Sequence, residues 1–408
     1  ASTRSRPFRR AGGGPRRAIV AILLAAFVLR VLRPGLVPPG LQFDEAHNAI
    51  DAGRVLAGDL RLFFPDNGGR EPLVTYLHAA ALSILGWQQA AIALRWTSAF
   101  VGMTTVAVLY GFAGRFLGRR LPTVLAAGFL AFTYWHLHFS RYGIRAILAP
   151  LWATAVMWAW WKAVGPVPDR ARPPTTDARS DIGAAIACGA LLAASAYSHP
   201  SGRLLPLVLV AYTLWRAFVG RRTAVREVRA LAVAGATALT LFAPLGLYFA
   251  RHPGQFTAHP SDVSLAAVAA SEHGGDLGLA LLAHLRAIAG MLFVAGDPST
   301  LHNLPGLPVF DPLSALWAVL GLGVVAAWLS FAPGPWRDRA VLLLAWLLVG
   351  LAPTAFSDRP PNYSRAMAAL PVIVLLPALG LQWMLLRFSR PSSTARVAAA
   401  FLALAAAG

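Results

Sequence analysis

Long apolar runs, separated by short arginine clusters, constrain this chain more than any other feature of its sequence. Of its 408 residues, 57% are hydrophobic and only 13% are charged. Several leucine- and alanine-rich runs reach the roughly 20 residues that a helix needs to cross a bilayer. The sequence therefore predicts an all-α polytopic membrane protein rather than a soluble one.

About 11 spanning segments are predicted from the apolar runs, and none carries a charge near its middle. Their ranges are 18–36, 96–115, 122–138, 146–163, 183–198, 204–219, 230–250, 312–332, 340–356, 368–387 and a truncated one from about 397. Proton-coupled pumps and ion transporters normally keep ionisable groups at mid-membrane. The pattern is therefore unfavourable for such a transporter.

The formal net charge of +19 is explained by the placement of basic residues in predicted cytoplasmic loops, and does not indicate a nucleic-acid partner. Its basic residues lie in short clusters between apolar runs, as in cytoplasmic loops of membrane proteins. Residues 1–17 are expected to be a disordered basic tail in the cytoplasm. Cys188 is the sole cysteine, which excludes a disulfide within the chain and a cysteine metal cluster. Because the chain begins with Ala1 and ends inside an apolar run, we expect it to be a fragment.

The segment 72–86 decides on which side each later loop lies, because it is apolar but short for a span. If it lies at the outer interface, the more basic loops fall inside, around 115–120, 162–179, 216–229, 337–339 and 387–396. We therefore predict interfacial helices in the first outer loop, 37–95. The protein is then a multi-pass protein of a bacterial inner membrane, with its polar site facing outside.

This topology divides the chain into four parts. The basic tail, 1–17, precedes a transmembrane module, 18–250, which includes the outer loop 37–95. An outer loop with an interfacial helix follows at 251–311, and further transmembrane helices occupy 312–408. The turn-rich segment 296–306 suits a lid or acceptor-facing loop, although a plain connector is equally compatible with its sequence.

The stretch 42–51 carries a dense polar pattern within the first outer loop. If it is helical, Asp44, His47, Asn48 and Asp51 share one face. Asp44 and Glu45 could simply cap the helix and oppose its dipole. Their place on the outer side, among other polar residues, favours a catalytic carboxylate.

Further polar residues converge on the same predicted side. They are Arg70, Glu71, His136, His138, Arg141, Tyr142, Arg145, His199, Arg203, Asn303 and Arg365. Such a set suits a reaction that deprotonates a hydroxyl and expels a phosphate, which needs a base and guanidinium groups.

Several of these residues also have structural interpretations. Arg203 and Arg251 could instead reach lipid headgroups. Arg141 and Arg145 could share one helical face, which is favourable only with an anion between them. His136 and His138 do not face each other on a helix, so ordinary interfacial histidines are favoured over metal ligands.

An ordered set of motifs resembles glycosyltransferase family 39 from about Ala18 to Leu386. The set comprises Asp-Glu opening the first outer loop, an acidic residue before Pro-Leu, Gly-Trp-x7-Arg, Phe-Ser-Arg-Tyr-Gly-x-Arg, and Gly-Asp before Asn-Leu-Pro-Gly. This family has the GT-C fold and includes protein O-mannosyltransferases and the lipid A aminoarabinose transferase. The resemblance implies a first outer loop with helices lying on the membrane.

The resemblance also implies a reaction and its residues. Asp44 would be the catalytic base on an acceptor hydroxyl, supported by Glu45, while a polyprenyl-phosphate sugar is the donor in an inverting transfer. Arg70 or Glu71 would contact the donor phosphate, which would leave toward some of Arg70, Arg141, Arg145, Arg203 and Arg365. The acceptor would be a protein, a lipid or a wall glycan. No cofactor is implied, and a divalent metal is left open.

Two other functions stay open. A transporter or flippase for lipid-linked glycans would also need arginines on the outer face, but it predicts internal repeats and polar groups at mid-membrane. A family member that lost activity and serves as an assembly partner would keep the fold without turnover.

Overall fold

The computed structural model describes residues 14–164, 181–219, 224–256 and 264–388. Within these ranges the regular structure is helical apart from two isolated β-bridges, which confirms the predicted all-α class. The α-helices are α1 (Gly14–Val31), α2 (Phe43–Leu56), α3 (Leu73–Leu85), α4 (Ala90–Leu117), α5 (Arg120–Phe132), α6 (Tyr134–Ser140), α7 (Leu148–Val164), α8 (Ile182–Ala196), α9 (Leu205–Phe218), α10 (Ala224–Arg251), α11 (Leu265–Glu272), α12 (Leu277–Met291), α13 (Pro312–Ser330), α14 (Gly334–Ala355), α15 (Tyr363–Ala366) and α16 (Leu370–Phe388).

Six helical segments in the described ranges are long and apolar enough to cross a membrane. They are Trp87–Leu117, Arg145–Val164, Ala224–Arg251, Pro312–Ser330, Gly334–Ala355 and Tyr363–Phe388. Helices α3, α5, α8 and α12 are apolar but shorter. The chain is thus a multi-pass membrane protein, while the predicted number of crossings stays a prediction. The last predicted span and most of the basic tail lie outside the described residues.

Two predicted spans differ from the helices observed. Helix α1 ends at Val31 rather than at residue 36, because Pro34 cannot continue it. The predicted span 122–138 is two helices, since Thr133 has an extended backbone between α5 and α6. The buried Arg30 of α1 donates to the Ala131 carbonyl, 3.0 Å away, which the break leaves without a helical partner.

Helix α16 forms the centre of the bundle and is buried along most of its length. It packs against α13 through Gly321 and Gly380. A Cβ atom added to Gly380 would lie 1.9 Å from the Trp317 carbonyl oxygen, and one on Gly321 would lie 1.9 Å from that of Leu376. Small residues at such positions let membrane helices approach closely.

Loops that the sequence assigns to the same side contact one another. Arg216 at the end of α9 pairs with Glu227 of α10 and Asp338 of α14. Arg339 of α14 lies over the rings of Phe116 and Trp161. We call this the basic end of the molecule, and the opposite end, which carries α2 and α3, the site end. That the basic end faces the cytoplasm stays a prediction.

Candidate active site

The first turn of α2 separates the two adjacent acids, Asp44 and Glu45. The side chain of Gln42 accepts a hydrogen bond from the Asp44 amide at 2.7 Å, while the Glu45 carboxylate accepts one from the Gln42 amide at 3.2 Å. This capping box uses Glu45 to close the helix start. The Asp44 side chain, 44% exposed, is left to face outward.

Glu45 is fully buried in a network that joins three parts of the chain. Its two oxygens accept hydrogen bonds from Arg95 of α4 at 2.9 and 2.8 Å, and the Gly143 amide donates to it at 2.8 Å. Arg95 also donates to the carbonyls of Pro34 and Pro38 before α2. Because its carboxylate is closed to solvent, we propose for Glu45 only the supporting role that the resemblance implies, and not direct contact with the reacting atoms.

A tight hairpin after α2 supplies the partners of Asp44. Phe64 and Arg70 pair through both backbone hydrogen bonds, at 3.0 and 2.7 Å, and the turn between them places Asn67, Gly68 and Gly69 at positive φ. Glycine and asparagine adopt such backbone angles most readily. The side-chain Nδ2 of Asn67 donates to Asp44 Oδ1 at 2.8 Å.

Arg70 follows this turn and points into the protein beneath Asp44. Its side chain is 5% exposed and donates to Asn48 at 2.8 Å. Its Nη2 lies 3.6 Å from Asp44 Oδ1 and makes no hydrogen bond within the part of the chain that the structure describes. Burial lowers the pKa of Arg70 and the charge of Arg145 lowers it further, whereas Asp44 and Asp51 raise it.

Glu71 holds two further arginines beside Arg70. Arg145 and Arg203 each donate to a different Glu71 oxygen at 2.7 Å, and Arg145 also donates to the Gly69 carbonyl at 3.0 Å. Glu71 is buried, whereas both arginines are partly exposed. Two cations on one anion leave a net positive charge, so this group is ready to receive an anion.

The aromatic rings of α10 and its continuation fix Arg203. Its guanidinium lies 4.9 Å from the Phe249 ring centre and 4.8 Å from that of Phe256. Burial lowers the pKa of Arg203, Glu71 raises it, and Arg145 lowers it. Arg203 therefore has protein partners, Glu71 and two aromatic rings. These contacts favour a role in the site over contact with lipid headgroups.

Other residues expected at the site have contacts that hold loops in place. Arg141 donates to the carbonyls of Leu29, Leu32 and Val37 at the end of α1. Arg365 pairs with Asp358 at 2.5 Å, Asn303 donates to the carbonyls of Asp297 and Leu307, and His199 Nδ1 accepts from the Ser201 amide. Because these polar groups already bind their own loops, we remove Arg141, Arg365, Asn303 and His199 from the candidate site.

Tyr142, Asn48 and His47 stay close to the acidic pair. The Tyr142 hydroxyl is buried without a hydrogen-bond partner among the described residues. Burial raises its pKa, and the charges of Asp44 and Glu45 raise it further. Asn48 donates to the Gly143 carbonyl at 2.8 Å, and the His47 ring lies 4.6 Å from that of Phe43.

The two histidines of α6 point to different partners. His136 Nδ1 lies 2.9 Å from Arg30 Nη2, whereas His138 Nε2 lies 2.9 Å from the Leu301 carbonyl oxygen. The latter contact attaches the turn-rich segment 296–306 to α6. Among the described residues, no three His, Cys, Asp or Glu side chains come together as a metal site would need.

Sequence reasoning gave no role to Asn67, Arg95 or Gly143, although all three shape the site. Arg95 and Gly143 both belong to motifs that carry the resemblance, Gly-Trp-x7-Arg and Phe-Ser-Arg-Tyr-Gly-x-Arg. Asn67 belongs to the Asn-Gly-Gly turn, whose chemistry signals the hairpin. Their contacts join residues that are far apart in the sequence, so the spacing of nearby residues cannot predict them.

No protein-family model and no curated protein matches the chain. Solved structures do match. The Archaeoglobus fulgidus oligosaccharyltransferase in its apo form has a TM-score of 0.63 at 15% identity, over 98% of this chain and 55% of that one. The same organism's oligosaccharyltransferase AglB, in complex with an inhibitory peptide and a dolichol-phosphate, has a TM-score of 0.62 at 15% identity, over 97% and 54%.

ArnT from Cupriavidus metallidurans, solved bound to undecaprenyl phosphate, has a TM-score of 0.60 at 17% identity, over 95% of this chain and 63% of that one. The chain thus spans between about half and two thirds of the structures that it matches. Identities this low show the fold alone. The fold is the one that the motif resemblance implies. The chain has the GT-C fold of membrane glycosyltransferases.

Proposed function

We propose that this protein is a membrane glycosyltransferase that moves a sugar from a polyprenyl-phosphate donor to an acceptor hydroxyl. The observation that carries the proposal is a half-exposed carboxylate, Asp44, beside the buried Arg70, with the partly exposed Arg145 and Arg203 held by the adjacent Glu71. The fold supports it, because ArnT was solved with undecaprenyl phosphate and AglB with a dolichol-phosphate.

Asp44 would act as the general base. Asn67 and Arg70 both contact its Oδ1, which leaves Oδ2 to accept the proton of an acceptor hydroxyl. The acceptor oxygen attacks the anomeric carbon as it loses that proton, and the bond from this carbon to the phosphate oxygen breaks. A single displacement of this kind inverts the configuration at the anomeric carbon.

The arginines would stabilise the leaving phosphate, which takes the electron pair of the broken bond. Arg145 and Arg203 are partly exposed and already oriented by Glu71, and Arg70 has an Nη2 group without a hydrogen bond in the described chain. Guanidinium donors fixed before the reaction stabilise developing charge without reorganising. Glu71 therefore orients the phosphate ligands and does not contact phosphate itself.

Release of polyprenyl phosphate tests the proposal. The full-length protein in proteoliposomes would receive a panel of polyprenyl-phosphate sugars, with membrane extract as the source of acceptor. We expect release with at least one donor and its loss by about 100-fold or more in Asp44→Asn, the usual range for a general base. Asp59→Asn is the control, because Asp59 is an exposed acid of the same loop that pairs with Arg61.

Equal release by the parent and Asp44→Asn would remove Asp44 from the chemistry. Absence of release with every donor would favour the transporter or assembly-partner alternatives. The sugar and the acceptor would be identified by the donor that reacts and by the product that gains label.

A further inference from the structure

A cavity lies at the basic end, at the other end of the bundle from Asp44. It has a volume of about 230 Å³ and lies among the ends of α4, α13 and α16 and the start of α14. Most of its lining is apolar, with three indoles from Trp328, Trp336 and Trp383. Its polar side chains are Arg119 and Gln382.

Gln382 is the observation that indicates a ligand. The residue is only 8% exposed and lines the cavity from an otherwise apolar helix, α16. Its amide forms no hydrogen bond with any other residue that the structure describes. The side-chain amide borders the cavity, so a ligand with hydrogen-bonding atoms there would give it a partner.

Arg119 gives the cavity its charge. It stands at the start of α5, with its guanidinium 5.7 Å from the ring centre of Trp336, and it has no acidic partner among the described residues. The cavity lining contains no acidic residue. The nearby acid, Asp338, is already paired with Arg216. The cavity thus favours an anion.

The indoles and the surface beyond them match a lipid. Trp328 and Trp336 lie 4.7 Å apart between ring centres, and Trp383 is 44% exposed. Leu386, also in the lining, is 49% exposed, and Phe388, two residues further, is 77% exposed. Tryptophan prefers the boundary between headgroups and acyl chains, and exposed aliphatic groups on a membrane helix face acyl chains.

We propose that this cavity binds the headgroup of an anionic phospholipid. The Arg119 guanidinium pairs with the phosphodiester, the Gln382 amide hydrogen-bonds to the headgroup, and the indoles cover the glycerol region. The acyl chains then run along the exposed apolar surface of α16. This binding does not depend on the transferase proposal, because it uses none of the residues around Asp44.

Native mass spectrometry of the detergent-purified, full-length protein tests this site. The probes are phosphatidylglycerol and phosphatidylcholine with identical acyl chains, and we expect one phosphatidylglycerol to bind more tightly than any phosphatidylcholine. Arg119→Gln should weaken phosphatidylglycerol binding about tenfold, as expected for losing one charge-assisted hydrogen bond. Gln382→Leu should weaken it about threefold or more, as expected for a neutral bond.

Arg115→Gln is the matched control, because Arg115 is an exposed arginine near the same end of α4 and does not line the cavity. It should leave binding unchanged. Equal binding of both lipids, or the same loss in Arg115→Gln as in Arg119→Gln, would overturn the proposal, since either result means unspecific attraction. Displacement of the lipid by millimolar inorganic phosphate would also overturn it, because the site would then be one for free phosphate.

Discussion

At the scale of single residues, two neighbouring acids have opposite surroundings, which is why we propose different roles for them. Glu45 is closed inside a buried network with Arg95 and Gly143, and Asp44 faces outward with one oxygen restrained. Removing one partner of a buried ion pair typically lowers folding stability by about 3–5 kcal/mol. We therefore expect Glu45 and Arg95 to stabilise the fold. Asp44, half exposed, is available for chemistry.

The arginine group gives the first prediction. Arg145→Gln should weaken binding of polyprenyl phosphate about 10- to 150-fold, because one charge-assisted hydrogen bond is worth about 1.5–3 kcal/mol. Binding of fluorescent polyprenyl phosphate to the purified protein measures this change. Arg61→Gln is the control, since Arg61 is an exposed arginine of the first outer loop that pairs with Asp59. Similar affinities for Arg145→Gln and the parent would show that Arg145 does not hold the phosphate.

At the scale of elements, backbone contacts across the chain fix α2. Gly143 both donates to Glu45 and accepts from Asn48, each at 2.8 Å. A Cβ atom at this position would lie 2.7 Å from Leu94 Cβ and 3.1 Å from Glu45 Oε1. The glycine in the motif Phe-Ser-Arg-Tyr-Gly-x-Arg is therefore required by the close packing of its loop against α2 and α4, and not by an unusual backbone angle.

Replacing this glycine gives the second prediction. Gly143→Ala should lower the melting temperature and reduce turnover, because overpacking of this kind typically costs about 1–3 kcal/mol. Gly235→Ala, in the middle of α10, meets nothing within 4 Å and should be neutral or slightly stabilising. Thermal unfolding of both variants in one detergent compares them. Equal melting temperatures for the two variants would contradict the tight packing around Gly143.

Sequence patterns predicted the helices better than they predicted the contacts among them. The helical start at 43 and the short apolar helix at 73–85 follow from capping residues and apolar runs, whereas the break at Thr133 was not predicted. Arg141 and Arg365 were expected at the site because they share its predicted side, but a shared side does not fix what a side chain contacts. The pairing of Glu71 with Arg145 and Arg203 joins residues distant in sequence, which local spacing cannot indicate.

At the scale of the whole molecule, polar groups are segregated to two ends. The site end gathers Asp44, Arg70 and Glu71 with residues from α7 to α10, and the basic end gathers Arg216, Glu227 and Asp338. Among the described residues of the predicted inside loops, Arg216 and Arg339 thus contact neighbouring elements of the same end. The proposed site and the residues used to predict the topology therefore lie at opposite ends of the bundle.

Orientation in the membrane gives the third prediction. In a Cys188→Ala background, Gln88→Cys should react with a membrane-impermeant maleimide added outside intact cells, whereas Arg120→Cys should react only after the cells are opened. The reason is that residue 88 follows α3 at the site end and Arg120 begins α5 at the basic end. The reverse labelling pattern would place α3 across the membrane and invert every later loop.

The most direct measurement of the central claim compares donor binding and turnover in Asp44→Asn. We expect turnover to fall by about 100-fold or more, as for loss of a general base. Binding of the polyprenyl-phosphate sugar should be unchanged or tighter, because the arginines that hold phosphate remain and a neighbouring negative charge is removed. Turnover near that of the parent, or loss of binding in parallel with turnover, would contradict the assignment of Asp44 as the catalytic base.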